Sequence, residues 1–169
     1  MVRMPVIVAH PIAGATDNNG GRMVVSSDAF VGIDLSGVSV LIVEDNEEAR
    51  KMLITILHRS GATVMPAENA ATALTLLEGN RPDILISDIE MPGEDGYSLI
   101  RRIRASELPD RRTPAIALTA YSRGGDRVRA LAAGFQSHIA KPVDPAELVA
   151  AIKSLLTLRG SEVKSEDRS

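Results

Sequence analysis

The sequence predicts an α/β fold, a doubly wound (βα)5 domain built on a five-stranded parallel sheet, and three observations carry that prediction. Five short apolar runs alternate with stretches whose apolar residues recur at helical spacing. The connections are short, which suits parallel strands joined by helices that cover both faces of one sheet. Glycines and capping residues fall at the joins.

The elements follow in order. Residues 38–43 (V-S-V-L-I-V) read as a buried strand, and residues 47–59 as an amphipathic helix closed by Gly61. A second strand is expected over 62–65 and a helix over 70–77, with Asn69 as its N-cap and Gly79 as a left-handed C-terminal cap. The third pair is 84–87 and 97–105; the fourth is 115–118 and 127–132, closed by Gly134. The fifth strand is 137–140. Its helix, 145–158, opens on Asp144 as N-cap, with Pro145 at the first helical position and Glu147 at the third.

Residues 1–36, rich in Gly, Asn, Ser and Asp, read as a flexible extension or linker; 37–158 form the domain, and 159–169 a disordered polar tail. A signal peptide at the N-terminus is broken by Pro5, His10 and Pro11, and no apolar segment approaches the ~20 residues of a membrane span. The formal net charge is -3 with both signs interspersed, so neither nucleic acid nor a membrane surface is predicted as a direct partner. Arg50, Lys51, Arg101, Arg102 and Arg104 read as solvated helix faces, and the methionines as core filler. Aromatic residues make up 2% of the chain, which excludes a stacking platform for single strands. The absence of cysteine excludes disulfides and thiolate metal sites, and fits a cytoplasmic protein.

In open parallel sheets the ligand site lies at the carboxyl ends of the strands, so the polar residues ending each apolar run converge. The first run ends in Glu44 and Asp45, the third in Asp88, the fourth in Thr119 and the fifth in Lys141. Neighbouring carboxylates repel by roughly 4 kcal/mol per pair at 4 Å and an effective dielectric near 20, so a cation is needed among them. All-oxygen donors favour Mg²⁺ or Mn²⁺ over zinc. A carboxylate beside such a cation, with an ammonium and a hydroxyl aimed at the same point, is suited to attack phosphorus and form an acyl phosphate.

On these strand-end residues, together with D-I-E-M-P-G and K-P, the chain resembles the receiver domain of response regulators, the family that includes the small chemotaxis regulator, over about residues 37–158. The resemblance implies a flavodoxin-like sheet in the order 2-1-3-4-5. It also implies Asp88 as the phosphoacceptor, Asp45 as a direct metal ligand, Glu44 as a ligand through water and Glu90 as a ligand through its backbone carbonyl. Lys141 matches the family's lysine, before a cis bond to Pro142, and Thr119 matches the switch hydroxyl. His138 stands where the family has Tyr or Phe as a rotating switch, and a structural role is favoured over pH sensing there. Glu90 and Tyr121 are placed to tune water access to the acyl phosphate. The implied partners are a histidine kinase or a histidine phosphotransfer protein, and the resemblance also allows a phosphorylation-dependent homodimer.

M-V-R-M-P-V resembles the closing strand of a kinase ATP-binding domain, while A-L-T-A-Y-S and H-I-A-K-P-V-D-P-A-E-L resemble receivers at the C-termini of hybrid kinases. Neither His10 nor His58 sits in a kinase phosphoacceptor context, so autokinase activity is not expected. Two other classes compete. An aspartyl-nucleophile phosphatase would place its nucleophile after the first strand under a cap, whereas Asp88 follows the third and no insertion is long enough. A pseudo-receiver that only docks would not need Glu44, Asp45, Asp88, Thr119 and Lys141 together.

Overall fold

The computed structural model describes residues 33–120 and 124–166. Residues 1–32, with the M-V-R-M-P-V segment and His10, and Tyr121 lie outside the described residues.

Five parallel strands, β1 (Ser39–Val43), β2 (Thr63–Ala67), β3 (Ile84–Asp88), β4 (Ala115–Thr119) and β5 (Ser137–Ala140), form one sheet in the order β2-β1-β3-β4-β5. The helices are α1 (Glu47–Arg59), α2 (Ala70–Gly79), α3 (Gly96–Ala105), α4 (Gly124–Ala133) and α5 (Pro145–Glu166). Successive side chains of a strand face opposite sides of the sheet, so one chain builds two cores. Leu41, Val43, Leu85, Ala115 and Ala117 meet Ala73, Leu77, Leu99, Ile103 and Ala130 of α2, α3 and α4. Val40, Ile42, Ile86, Ile116 and Ile139 meet Leu53, Leu57, Leu148 and Ile152 of α1 and α5. With so few aromatics the packing is aliphatic, and Phe135 is the largest of the fully buried side chains.

The caps are local chemistry. The carboxyl or amide oxygens of Asn46, Asn69, Asp95 and Asp144 each accept from a backbone N–H three residues on, at 2.9, 2.8, 2.7 and 2.8 Å. Gly61 and Gly134 take the left-handed conformation expected of them, with φ of +89° and +122°. Gly79 does not: it is the last residue of α2, and the side-chain Nδ2 of Asn80 closes that helix by donating to the Leu76 carbonyl at 2.9 Å.

Three further features differ from the sequence reading. α5 continues to Glu166, so the polar stretch after residue 158 extends the helix instead of leaving it as a disordered tail. Arg104 is no simple surface charge: its guanidinium donates to the carbonyls of Gly134 and Arg111 and to Oε1 of Gln136, tying α3 to the loop before β5. Burial in that loop lowers its pKa. The third difference lies before β1, where Leu35 is fully buried in the α1/α5 core although the boundary was expected at residue 37. Its N–H donates to Ser60 O at 2.7 Å, and the Lys153 ammonium donates to Asp34 O at 3.3 Å. Leu35→Ala should therefore cost about 3 kcal/mol, read as a lower urea midpoint at unchanged slope. A loss below about 0.5 kcal/mol would return these residues to the linker.

Candidate functional site

Each strand delivers one part of the site. β1 ends at Val43, so the chain leaves the sheet at Glu44 and Asp45 before Asn46 starts α1. Asp88 and Thr119 are the last residues of the adjacent strands β3 and β4, and Lys141 follows β5. The Lys141 N–H donates to Thr119 O at 2.7 Å, and the Lys141–Pro142 bond is cis.

The side chains converge. One carboxylate oxygen each from Glu44, Asp45 and Asp88 lies within 4.8 Å of the others. The Lys141 ammonium stands 2.9 Å from Glu44 Oε2 and 2.9 Å from Asp88 Oδ2. The second oxygen of Asp88 accepts from the Glu90 N–H at 3.1 Å, and that of Glu44 from the Asn46 N–H at 3.2 Å. Glu44, Asp88 and Thr119 are buried, whereas Asp45 and Glu90 are exposed. Among the described residues the Thr119 hydroxyl has no hydrogen-bond partner although it is buried, an arrangement that costs free energy unless a further acceptor arrives. It lines a cavity of about 210 Å³ with Glu90, Tyr97 and Arg129, whose guanidinium lies 4.3 Å from the Tyr97 ring centroid.

The electrostatics are those of an overfilled acidic pocket. Burial pushes the Glu44 carboxyl up, its hydrogen bond from Lys141 opposes that, and Asp88 adds repulsion; the net direction is upward. Burial alone would lower the Lys141 ammonium, but its hydrogen bonds to Asp88 and Glu44 outweigh this and hold it above the usual lysine range. One cation facing three carboxylates leaves the pocket net negative, and every free donor atom in it is oxygen. That donor set fits a hard divalent cation.

His138 lies half-buried on β5, paired in the ladder with Ala117. Three features of the site were not read from the sequence. Asn46 both caps α1 and grips Glu44. Arg50, expected on a solvated face, donates to the carbonyls of Glu44 and Asp45. Gly96 sits so close to β3 that a Cβ there would lie 2.3 Å from the Asp88 carbonyl oxygen. The last had a signal, a glycine directly after the capping Asp95 where a helix would prefer alanine.

Residues 40–153 match the family profile described as the response regulator receiver domain. The chain belongs to the response regulator receiver family. A similar receiver-sized relative is an uncharacterized 14.6 kDa protein of Leptolyngbya boryana, 47% identical over 120 residues, which are 70% of this chain and 90% of the relative. Hybrid signal transduction histidine kinase D of Dictyostelium discoideum is 36% identical over 129 residues, 72% of this receiver and 8% of the kinase. Among solved structures, the receiver domain of the Pseudomonas aeruginosa sensor histidine kinase PA1611, which has a magnesium ion coordinated in its active-site cleft, superposes with a TM-score of 0.66 at 36% identity. The match covers 72% of this chain and 99% of that one. The receiver also spans about half the length of the transcriptional regulators it matches. The strand order is the one the resemblance implied. No helix among the described residues is long and apolar enough to cross a membrane.

Proposed function

We propose that this receiver accepts a phosphoryl group on Asp88 from a histidine kinase or a histidine phosphotransfer protein, and that the acyl phosphate changes its affinity for a downstream partner in the cytoplasm. The observation that carries the proposal is the Lys141 ammonium held at 2.9 Å from Asp88 while the other carboxylates crowd the same point. An Asp88 oxygen attacks phosphorus as the phosphorus–nitrogen bond of the phosphohistidine breaks, and the imidazole leaves with the bonding electron pair and takes a proton from solvent.

Lys141 stays protonated through this step and turns its hydrogen bonds from Asp88 toward the transferring oxygens. Asp45, Asp88 and the Glu90 carbonyl would hold a Mg²⁺ or Mn²⁺ ion, with Glu44 acting through water. The bound ion supplies positive charge that lowers repulsion between the donor's oxygens and the pocket. The unpartnered Thr119 hydroxyl gains an acceptor once a phosphoryl oxygen is present, and α4, β5 with His138, and α5 repack around it. This coupling is worth about 1–3 kcal/mol, so phosphorylation biases an existing equilibrium, and a homodimer is one state it could favour. The domain acts on itself: it catalyses its own phosphoryl transfer and slow dephosphorylation.

Intact mass after incubation with acetyl phosphate and Mg²⁺ tests the reading, with Asp88→Asn in parallel. One phosphoryl adduct is expected on the native protein, absent in chelator and absent in the variant. No adduct under any condition would leave only a docking module, and an adduct persisting in Asp88→Asn would move the acceptor elsewhere.

A further inference from the structure

Arg50 lies at the start of α1, four residues into the helix, and its guanidinium reaches back over the turn it has just left. One nitrogen, Nη1, donates to Glu44 O at 2.7 Å and to Asp45 O at 3.2 Å. Beside a cluster of carboxylates a guanidinium ordinarily pairs with a carboxylate. Among the described residues Arg50 forms no ion pair, and Glu47 bridges Lys51 instead. The positive charge is thus spent on main-chain oxygens. With the Asn46 N–H on Glu44 and the Asn46 side chain capping α1, these bonds fix three consecutive residues of the β1–α1 turn.

The residue that depends on this most is Asp45. Its carboxylate is exposed and has no hydrogen-bond partner among the described residues, so its place beside Glu44 and Asp88 is set by the backbone that carries it. We infer that Arg50 is a positioning residue for the divalent cation of the acidic pocket, preorganising the Glu44–Asp45 backbone through the two carbonyls and not through its charge. The inference rests on the function proposed above.

Charge and positioning predict opposite signs, which makes the inference testable. Removing a positive charge beside a cation site should tighten binding by Coulomb's law. Removing a support that orients ligands should weaken it, typically by about tenfold or more. Mg²⁺ affinity would be measured by calorimetric titration on the native receiver, Arg50→Met and Arg50→Lys, with each melting midpoint taken in chelator. The expected result is about tenfold weaker binding for Arg50→Met and about threefold for Arg50→Lys, which keeps a donor but is shorter, with chelator midpoints within a few degrees of native. Equal or tighter binding by Arg50→Met would overturn the inference. Should Arg50→Met fail to fold, unchanged affinity in a folded Arg50→Lys would overturn it equally. Absence of Mg²⁺ binding by the native protein would instead sink the function on which the inference rests.

Discussion

Gly96→Ala should be the most destabilising single-methyl change in this receiver, costing about 3 kcal/mol and lowering the yield of acyl phosphate as well. The added Cβ would stand 2.3 Å from the Asp88 carbonyl oxygen and 3.0 Å from Ile89 Cα, and both are backbone atoms that no rotamer change can move aside. Relief requires the start of α3 to back away from the end of β3, which breaks the Gly96 N–H bond to Ile89 O and shifts the acceptor. Gly125→Ala is the control, because nothing lies within 4 Å of a Cβ there and a helical alanine should be neutral or gain up to about 1 kcal/mol. Denaturant midpoints of the two variants check the contrast. Equal stabilities would mean that β3 and α3 are not in the contact described.

Lys141→Met should have the largest effect on chemistry short of removing the acceptor itself. It should lower the rate of phosphorylation by acetyl phosphate by about 100-fold or more at saturating Mg²⁺, because the ammonium held 2.9 Å from Asp88, proposed above to turn toward the transferring oxygens, is gone. Its effect on stability depends on pH, and the sign follows from Glu44. That carboxyl has a raised pKa in the folded protein, so its contribution is full below the ordinary glutamate range and lost as the pH rises through the folded value. Without Lys141 the buried charge has no cationic partner and keeps only the Asn46 N–H, and the loss should grow to about 3 kcal/mol near pH 8. The native Lys141 contribution, being that of a raised ammonium, persists up to the lysine range. In chelator, the melting curves of native and Lys141→Met proteins should therefore approach each other near pH 4.5 and separate toward pH 8. A constant gap would mean that Glu44 does not set the difference.

The strand ends were legible because the apolar runs fix where each strand stops, and in a parallel sheet stopping points are neighbours in space. Thus Glu44, Asp45, Asp88, Thr119 and Lys141 could be grouped before any contact was known, and their meeting around one point follows from topology. What stayed hidden lacked a periodic signature. Leu35 stands close to Phe30, Val31 and Ile33 in a short patch with no sustained strand or helix period, so only its burial in the finished core identifies it. β2 runs on through Pro66 and Ala67, past residue 65 where the apolar run suggested an end. The proline is tolerated because β2 is an edge strand with β1 on one side only. α4 begins at Gly124 and Gly125, where propensity argues against helix, so the sequence reading started it later. Arg50 and Arg104 look alike as surface charges in the sequence. The carbonyls they reach are made available by loop geometry, which no spacing rule encodes.

The burial of Leu35 bears on how such a module can be wired to others. The incoming strand of chain is clamped beside Ser60 and against Lys153 of α5, at the base of the sheet, while α5 carries the outgoing chain from the pocket end back toward that base. Entrance and exit therefore share one pole, and the acidic pocket occupies the other. The described chain thus enters and leaves on the side away from the upper rim, and neither attachment point crowds the pocket.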